Sequence, residues 1–433
     1  MDYTQTLNYL FTRLPMFHRI GAAAYKADLN NTLEIQRLLD FPDRKFRSIH
    51  IAGTNGKGST SHMLSAILQS AGYKTGLYTS PHLVDFRERI RINGEMIPES
   101  FITEFVEKHR AVFDRIEPSF FEWTVGLAFE YFAHEKVEIA VIETGLGGRL
   151  DSTNVITPLL SIITNISPDH MNLLGNTLPA IAGEKAGIIK NGIPVVIGER
   201  QSEVEHVFLK KAKEENAPLV FASDLLNVQS GNGSPDERLF KVNGAFELPS
   251  QIHCDLTGLY QENNIATVLC SVLQLRKLKF NLNNDAIKNA LQNVKSLTGL
   301  SGRWQTLQMN PLTICDVGHN KAGIEFVLRQ IKETPHKILR IVFGVVNDKD
   351  VSTILKMLPS EATYYFCKAN LPRALDENTL LSNAIEAGLS GRSYPSVQSA
   401  ITSALHESGE DDLVFIGGST FVVAEALPLF AKA

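Results

Sequence analysis

Short apolar runs with few polar residues recur along the chain, separated by longer stretches in which apolar positions return every three or four residues. The first pattern reads as strands covered on both faces, the second as helices with one buried stripe. The strands expected in the first part are Arg47–Ala52, Val137–Glu143, Leu159–Asn165 and Pro194–Ile197, followed later by Leu312–Asp316, Ile338–Gly344, Ala362–Cys367 and Asp412–Ile416. Helical spacing marks Ser59–Ala71, Ile102–Phe113, Phe121–His134 and Asn263–Leu275. This alternation predicts an α/β chain of βαβ units on parallel sheet.

Three segments break the rhythm. Ser296-Leu297-Thr298-Gly299-Leu300-Ser301-Gly302 is small and flexible in composition and marks a linker. It divides the chain into a larger domain, 1–295, and a smaller one, 303–433, with 296–302 between them. The polar stretch Gln229–Asp236 reads as a surface loop or hairpin. Arg87, Arg89 and Arg91 alternate, so an extended chain would put them on one face, a solvated charged strand that could steer anionic substrates.

Composition narrows the class. The 433 residues are 44% hydrophobic and 21% charged, as in ordinary globular chains, which excludes disorder and small disulfide scaffolds. Lys plus Arg number 42 against 47 for Asp plus Glu, a net charge of −5, which argues against nucleic-acid binding by bulk charge. No run approaches the ~18 apolar residues a membrane span needs. Met1-Asp2-Tyr3-Thr4-Gln5 lacks the basic-then-apolar order of a signal peptide. Cys254, Cys270, Cys315 and Cys367 are widely spaced and read as buried thiols of a reducing cytoplasm.

Specific chemistry begins at Ile49-His50-Ile51-Ala52-Gly53-Thr54-Asn55-Gly56-Lys57-Gly58-Ser59-Thr60, an apolar strand running into a glycine-rich turn and a helix. Glycines let backbone N–H groups converge on phosphate oxygens, and the helix N-terminus adds partial positive charge. Lys57 can neutralise terminal phosphates, and the Ser59 hydroxyl can reach Mg²⁺. The spacing departs from the strict phosphate loop. Two residues, not four, separate Gly53 from Gly56, and Gly58 intervenes between Lys57 and Ser59. The loop points to a nucleoside triphosphate without naming a reaction. Asn347-Asp348-Lys349-Asp350 has the letters of a guanine reader in the wrong order, and protein-kinase motifs are absent.

Four further segments lie in order along the first domain: Thr79-Ser80-Pro81-His82-Leu83, Glu143 to Asn154 (ETGLGGRLDSTN), Ile163 to His170 (ITNISPDH) and Ile181 to Lys190 (IAGEKAGIIK). Gly258-Leu259-Tyr260-Gln261-Glu262-Asn263-Asn264 follows, then Ser301-Gly302-Arg303-Trp304, Asp316-Val317-Gly318-His319-Asn320, Phe343-Gly344 and Gly417-Gly418-Ser419. Together they resemble the signatures of the Mur ligase superfamily and, within it, folylpolyglutamate synthase, including its bifunctional dihydrofolate synthase form. Ser301 stands where the family's usual element has proline.

The resemblance implies a P-loop-type parallel-sheet ATPase domain followed by a Rossmann-like α/β domain. It implies ATP-dependent ligation of L-glutamate to dihydropteroate or reduced folates through an acyl phosphate, in a cytoplasmic, monomeric enzyme with MgATP and two Mg²⁺. Residue by residue, it implies that Gly53 to Thr60 cradle the phosphates. Asn264 would read adenine, and Arg303, Asp316 and His319 would contact the nucleotide from the second domain. Ser59, Ser80, Glu143 and His170 would hold Mg²⁺, joined by Lys185 if it is carbamylated, with Lys57, Glu143, His170 and Lys185 as the catalytic set. Phe121, Glu122 and Asp151 would line the pterin pocket, an aromatic stack with carboxylates for a flat heteroaromatic ring. A ligase of cell-wall precursors and a non-catalytic nucleotide switch stay open at this point.

Overall fold

The first sheet is built from β1 (Arg47–Ala52), β2 (Thr75–Tyr78), β3 (Ile90–Ile92), β4 (Glu95–Met96), β5 (Ile139–Glu143), β6 (Leu160–Ile163), β7 (Val195–Ile197) and β8 (Leu219–Phe221). Its order is β4-β3-β2-β5-β1-β6-β7-β8, parallel from β2 to β8, with β3 and β4 added antiparallel at one edge. The computed structural model describes residues 1–16, 21, 26–347 and 351–431, so Asp348, Lys349 and Asp350 lie outside the described residues.

The central strands are buried at nearly every position because helices cover both faces. On one face the helix Phe120–His134 packs with Asn30–Leu38 and Glu99–Phe113 in an aromatic-rich core. Trp123, 1% exposed, meets Phe113 edge-on with ring centroids 4.6 Å apart. Replacing a ring buried this deeply with alanine costs roughly 3–5 kcal/mol. The helix Lys57–Ser70 is buried continuously from Ser59 to Leu68, packed on β1, β2 and β5 and under Gln261–Lys277, Asn284–Gln292 and Val294–Thr298. That all-round burial pins the N-terminus of the helix that follows the glycine turn.

The second sheet comprises β12 (Gln305–Met309), β13 (Leu312–Cys315), β14 (Leu339–Phe343), β15 (Thr363–Cys367), β16 (Gly391–Tyr394) and β17 (Leu413–Gly417), in the order β12-β13-β17-β14-β15-β16. All pairs are parallel except the edge hairpin β12–β13. The chain forms two compact units, one of Met1–Asn232, Arg238–Asp255 and Tyr260–Leu300, the other of Gly233–Glu237, Leu256–Leu259 and Ser301–Ala433. Among the described residues no helix is long and apolar enough to cross a membrane, and the four cysteines are buried and form no disulfide.

The predicted parallel strands appear within a residue or two of their expected ends. The Gln229–Asp236 stretch is a hairpin. β9 (Asn227–Gly233) turns at Ser234, whose N–H donates to Glu237 O at 2.7 Å, into β10 (Arg238–Asn243), which pairs with β11 (Gln251–Cys254). The stretch read as a linker is partly helical, since Val294–Thr298 forms a helix closed by Gly299 at φ 70°.

The arginine stripe is a correction. Phe86–Arg89 is a 3₁₀ turn held by a capping box between Asp85 and Glu88, so Arg87 and Arg89 lie off the strand and Arg91 alone of the three sits on β3. Arg89 and Arg91 are buried. The Arg89 guanidinium bonds to His82 Nδ1 at 2.7 Å and lies over the Phe120 ring, and Arg91 donates to Gly94 O at 2.8 Å.

Candidate active site

The chemistry-bearing residues of the first unit gather where parallel strands end, the edge at which open α/β sheets hold ligands. β1 delivers Gly53, β5 ends at Glu143, β6 leads into Thr164–His170, and β7 leads into Gly198–Gln201. β2 leads to Ser80, whose backbone N–H points at Glu143 Oε2 from 3.4 Å.

Two glycines of the turn are required by its shape. Gly53 has φ 149° and Gly56 φ 84°, and a Cβ at either would fall 1.8 Å from Thr164 Oγ1 or 2.1 Å from Asn264 Oδ1. The turn is braced from β6: Thr164 Oγ1 donates to Asn55 O at 2.6 Å, Thr54 N–H to Asn165 O at 2.9 Å, and Ser167 N–H to Thr54 Oγ1 at 3.0 Å. From the other side the helix Gln261–Lys277 enters amide-first. Gln261 Nε2 donates to Ser59 Oγ at 3.2 Å, and Asn264 Nδ2 donates to Gln261 Oε1 at 2.7 Å.

Two ammonium groups converge on the turn. Lys57 Nζ donates to Gly53 O at 3.1 Å and Thr54 O at 3.2 Å, while Lys185 Nζ donates to the same Gly53 O at 2.8 Å. Lys185 is 4% exposed, and burial, reinforced by the Lys57 charge and opposed by Asp169 and Asp151, lowers its pKa to about 7. A cationic pair on a turn lined with backbone donors suits a polyanion.

Glu143 is 3% exposed and opposite Ile51 of β1. His170 sits on the loop after β6 in a left-handed conformation, with its N–H donating to Asp169 Oδ1 at 3.0 Å. Thr60 Oγ1 and Thr144 Oγ1 are buried with no hydrogen-bond partner among the described residues. Oxygen donors at Ser59, Ser80 and Glu143 suit Mg²⁺, which keeps several waters and phosphate oxygens of its own. Among the described residues no group of three His, Cys, Asp or Glu could hold a metal by itself.

The residues read as a pterin pocket divide. The Phe121 ring lies against Gly145, where a Cβ would fall 2.4 Å from it, so it flanks the loop that starts at Glu143. Glu122 is tied into its own helix start: Oε2 accepts the Ser119 N–H at 2.6 Å and lies 3.4 Å from Asn31 Nδ2, completing a capping box. Asp151 accepts from Leu146 N–H at 2.8 Å and from Thr153 N–H and hydroxyl at 3.0 and 2.5 Å, shaping the Gly145–Asn154 loop. Burial raises the Asp151 pKa against those bonds.

In the second unit, Asp316 follows β13 and accepts Trp304 N–H and Gly318 N–H, each at 2.7 Å. Arg303 precedes that tryptophan, and His319 Nδ1 donates to Val317 O at 2.9 Å. Arg303, Asp316 and His319 thus belong to one loop cluster, with Asn320 capping the helix Lys321–Glu333. Gly344 N–H donates to Gly417 O at 3.3 Å, which joins Phe343-Gly344 to Gly417-Gly418-Ser419.

Sequence reasoning missed Glu199 and the bracing role of Asn165. Both lie just past strand ends, the one positional signal that could have flagged them.

The model of the Mur ligase middle domain matches residues 51–272, and that of the Mur ligase glutamate ligase domain matches 302–420. The chain is 34% identical over 412 residues to a protein of Bacillus subtilis (strain 168) named dihydrofolate synthase/folylpolyglutamate synthase, covering 92% of this chain and 94% of that one. It is 31% identical over 381 residues to the Escherichia coli (strain K12) protein of the same name, covering 87% and 85%. Among solved structures, Mycobacterium tuberculosis folylpolyglutamate synthase complexed with ADP and AMPPCP is similar at TM-score 0.87 and 28% identity, with 100% of both chains covered. E. coli FolC in complex with DHPP and ADP is similar at TM-score 0.83 and 27% identity, covering 99% of this chain and 97% of that one.

Proposed function

The chain belongs to the folylpolyglutamate synthase/dihydrofolate synthase family of Mur ligases, and from that premise we propose how its residues carry the reaction. It is an ATP-dependent ligase that joins L-glutamate to folates. That membership sets aside the cell-wall ligase and the non-catalytic switch. The bifunctional name of the B. subtilis and E. coli relatives supports dihydropteroate and reduced folate as alternative acceptors.

A substrate carboxylate oxygen attacks the γ-phosphorus of ATP, the bond to the β-γ bridging oxygen breaks, and ADP leaves an acyl phosphate. The glutamate amine, having lost a proton from its ammonium form, attacks the activated carbonyl. The tetrahedral adduct collapses to amide and inorganic phosphate. The protein contributes position and charge. Backbone donors of Gly53–Gly56 and the start of the helix Lys57–Ser70 receive the phosphates, and Lys57 turns from its carbonyl partners to meet them. Ser59, Ser80, Glu143 and His170 are the residues that would hold Mg²⁺. When bound, Mg²⁺ offsets the negative charge that otherwise repels a carboxylate from a triphosphate. Arg303, Asp316, His319 and Asn264 are assigned to the nucleotide, and Phe121 to the face of the pterin. Glu122 and Asp151 support that pocket from below, through the helix start and the loop they shape.

Lys185 is the proposed carbamate. CO₂ adds only to a neutral amine, and a lysine held near pKa 7 supplies one at physiological pH. The carbamate would convert a cation at Gly53 O into an anion able to join a second Mg²⁺.

The observation that carries this reading is the convergence of Lys57 and Lys185 on the carbonyl of Gly53, beside the Glu143 strand end. Mass analysis of products formed from MgATP, glutamate and either dihydropteroate or tetrahydrofolate tests it. Gain of glutamyl residues with both acceptors is expected. Gain with neither would refute the ligase assignment, and gain with tetrahydrofolate alone would restrict it to polyglutamylation.

A further inference from the structure

The exit of β7 supplies a brace with a fixed electrical polarity. Asn165 Nδ2 donates to Glu199 Oε1 at 3.1 Å, and Asn263 Nδ2 donates to the same oxygen at 3.1 Å. On its other end, Asn165 Oδ1 accepts the Asn55 N–H of the glycine turn at 3.0 Å. Two residues past Glu199, the Gln201 amide clamps Ile166, accepting its N–H and donating to its carbonyl, both at 2.8 Å.

A carboxylate only accepts, and a backbone N–H only donates. Asn165 therefore sits between a fixed acceptor and a fixed donor, and its amide has one orientation that satisfies both. The reversed amide would set NH₂ against N–H at Asn55 and carbonyl against carboxylate at Glu199. The same oxygen also draws in Asn263, beside Asn264, whose Oδ1 approaches Gly56. One carboxylate thus ties the β6 exit, the phosphate turn and the start of the helix Gln261–Lys277.

We infer that Glu199 is a positioning residue for the nucleotide, acting through Asn165 and Asn263 to hold the Asn55 and Gly56 backbone in its phosphate-receiving shape. This rests on reading Gly53–Thr60 as the nucleotide turn. Burial raises the Glu199 pKa, and the hydrogen bonds from Asn165 and Asn263 offset part of that rise.

The test is calorimetric titration of the full chain with the magnesium complex of AMPPCP, without folate or glutamate. The variants are Glu199→Gln, which keeps an acceptor oxygen, and Glu199→Met, which keeps the size and removes it. Methionine should weaken binding roughly ten-fold, the scale of a lost buried hydrogen bond to a charged acceptor, while glutamine stays within about three-fold of wild type. In an Asn165→Ala background the methionine change should cost less than about three-fold, because its main route of action is already gone. Equal losses for glutamine and methionine, or full additivity with Asn165→Ala, would reduce Glu199 to packing and overturn the inference. If the methionine variant does not fold, Asn263→Ala decides: weaker binding supports the brace, and unchanged binding refutes it. Wild-type protein that binds no nucleotide would refute the nucleotide reading itself, a result distinct from wild-type-like binding by the methionine variant.

Discussion

Lys185 and Arg340 are both buried cations in α/β units, 4% and 9% exposed, yet their surroundings differ in kind. Arg340, on β14, lies 3.2 Å from the Asp412 carboxylate and donates to Tyr365 Oη at 3.1 Å. That hydroxyl in turn donates to Glu407 at 2.7 Å. Every charge in this network meets an opposite charge or a hydroxyl inside the fold. Lys185 donates to a carbonyl, with a second cation, Lys57, on the same oxygen. A buried charge whose partner is built in serves the fold, whereas positive charge collected on a glycine turn is suited to an anion that arrives later.

The contrast predicts which quantity each substitution moves. Lys57→Ala and Glu143→Ala should each lower kcat/KM for glutamate ligation by roughly 10³-fold or more, with the thermal midpoint little changed. Steady-state kinetics and a melting curve check this, and near-normal turnover in either variant would break the active-site assignment. Arg340→Ala should do the reverse. Stranding Asp412 buried should cost roughly 3–5 kcal/mol of stability, read by denaturant unfolding, while kcat of the folded fraction is kept.

Lys185 should respond to pH and CO₂ together. Its pKa falls from 10.5 to about 7, so the amine is mostly protonated at pH 6 and mostly neutral at pH 8. Added bicarbonate should therefore raise activity several-fold more at pH 8 than at pH 6, and Lys185→Arg should abolish the response. The smallest effect is expected at Asp151. Asp151→Asn leaves one oxygen to accept where two accepted from Leu146 and Thr153. It should cost roughly 1–2 kcal/mol of stability and shift KM for the pterin substrate less than kcat/KM shifts in Lys57→Ala.

The legible parts of the fold were those where local pattern and tertiary role agree. β5 is apolar but for Glu143 and β14 but for Arg340, because both faces are covered, and the turn that follows β1 announces itself through Gly53 and Gly56, whose positive φ favours glycine. The short strands β3, β4 and β8 carry too few residues to make a pattern. The Arg87-to-Arg91 stripe misled because the Asp85–Glu88 capping box turns the chain through Arg87 and Arg89 before β3 begins, and because Arg89 is received by His82 in the preceding loop and by the more distant Phe120. The capping box of Glu122 is spelled by Ser119 three residues before it. Glu199 left no trace in any motif, since its role depends on Asn165 and Asn263 arriving from two other segments.

The claim that a carboxyl group is activated by phosphoryl transfer and then captured by glutamate is tested most directly with ¹⁸O in the carboxylate of dihydropteroate. After turnover with MgATP and glutamate, the account predicts one ¹⁸O in the released inorganic phosphate for each amide formed. Amide formation accompanied by phosphate free of the label would contradict it.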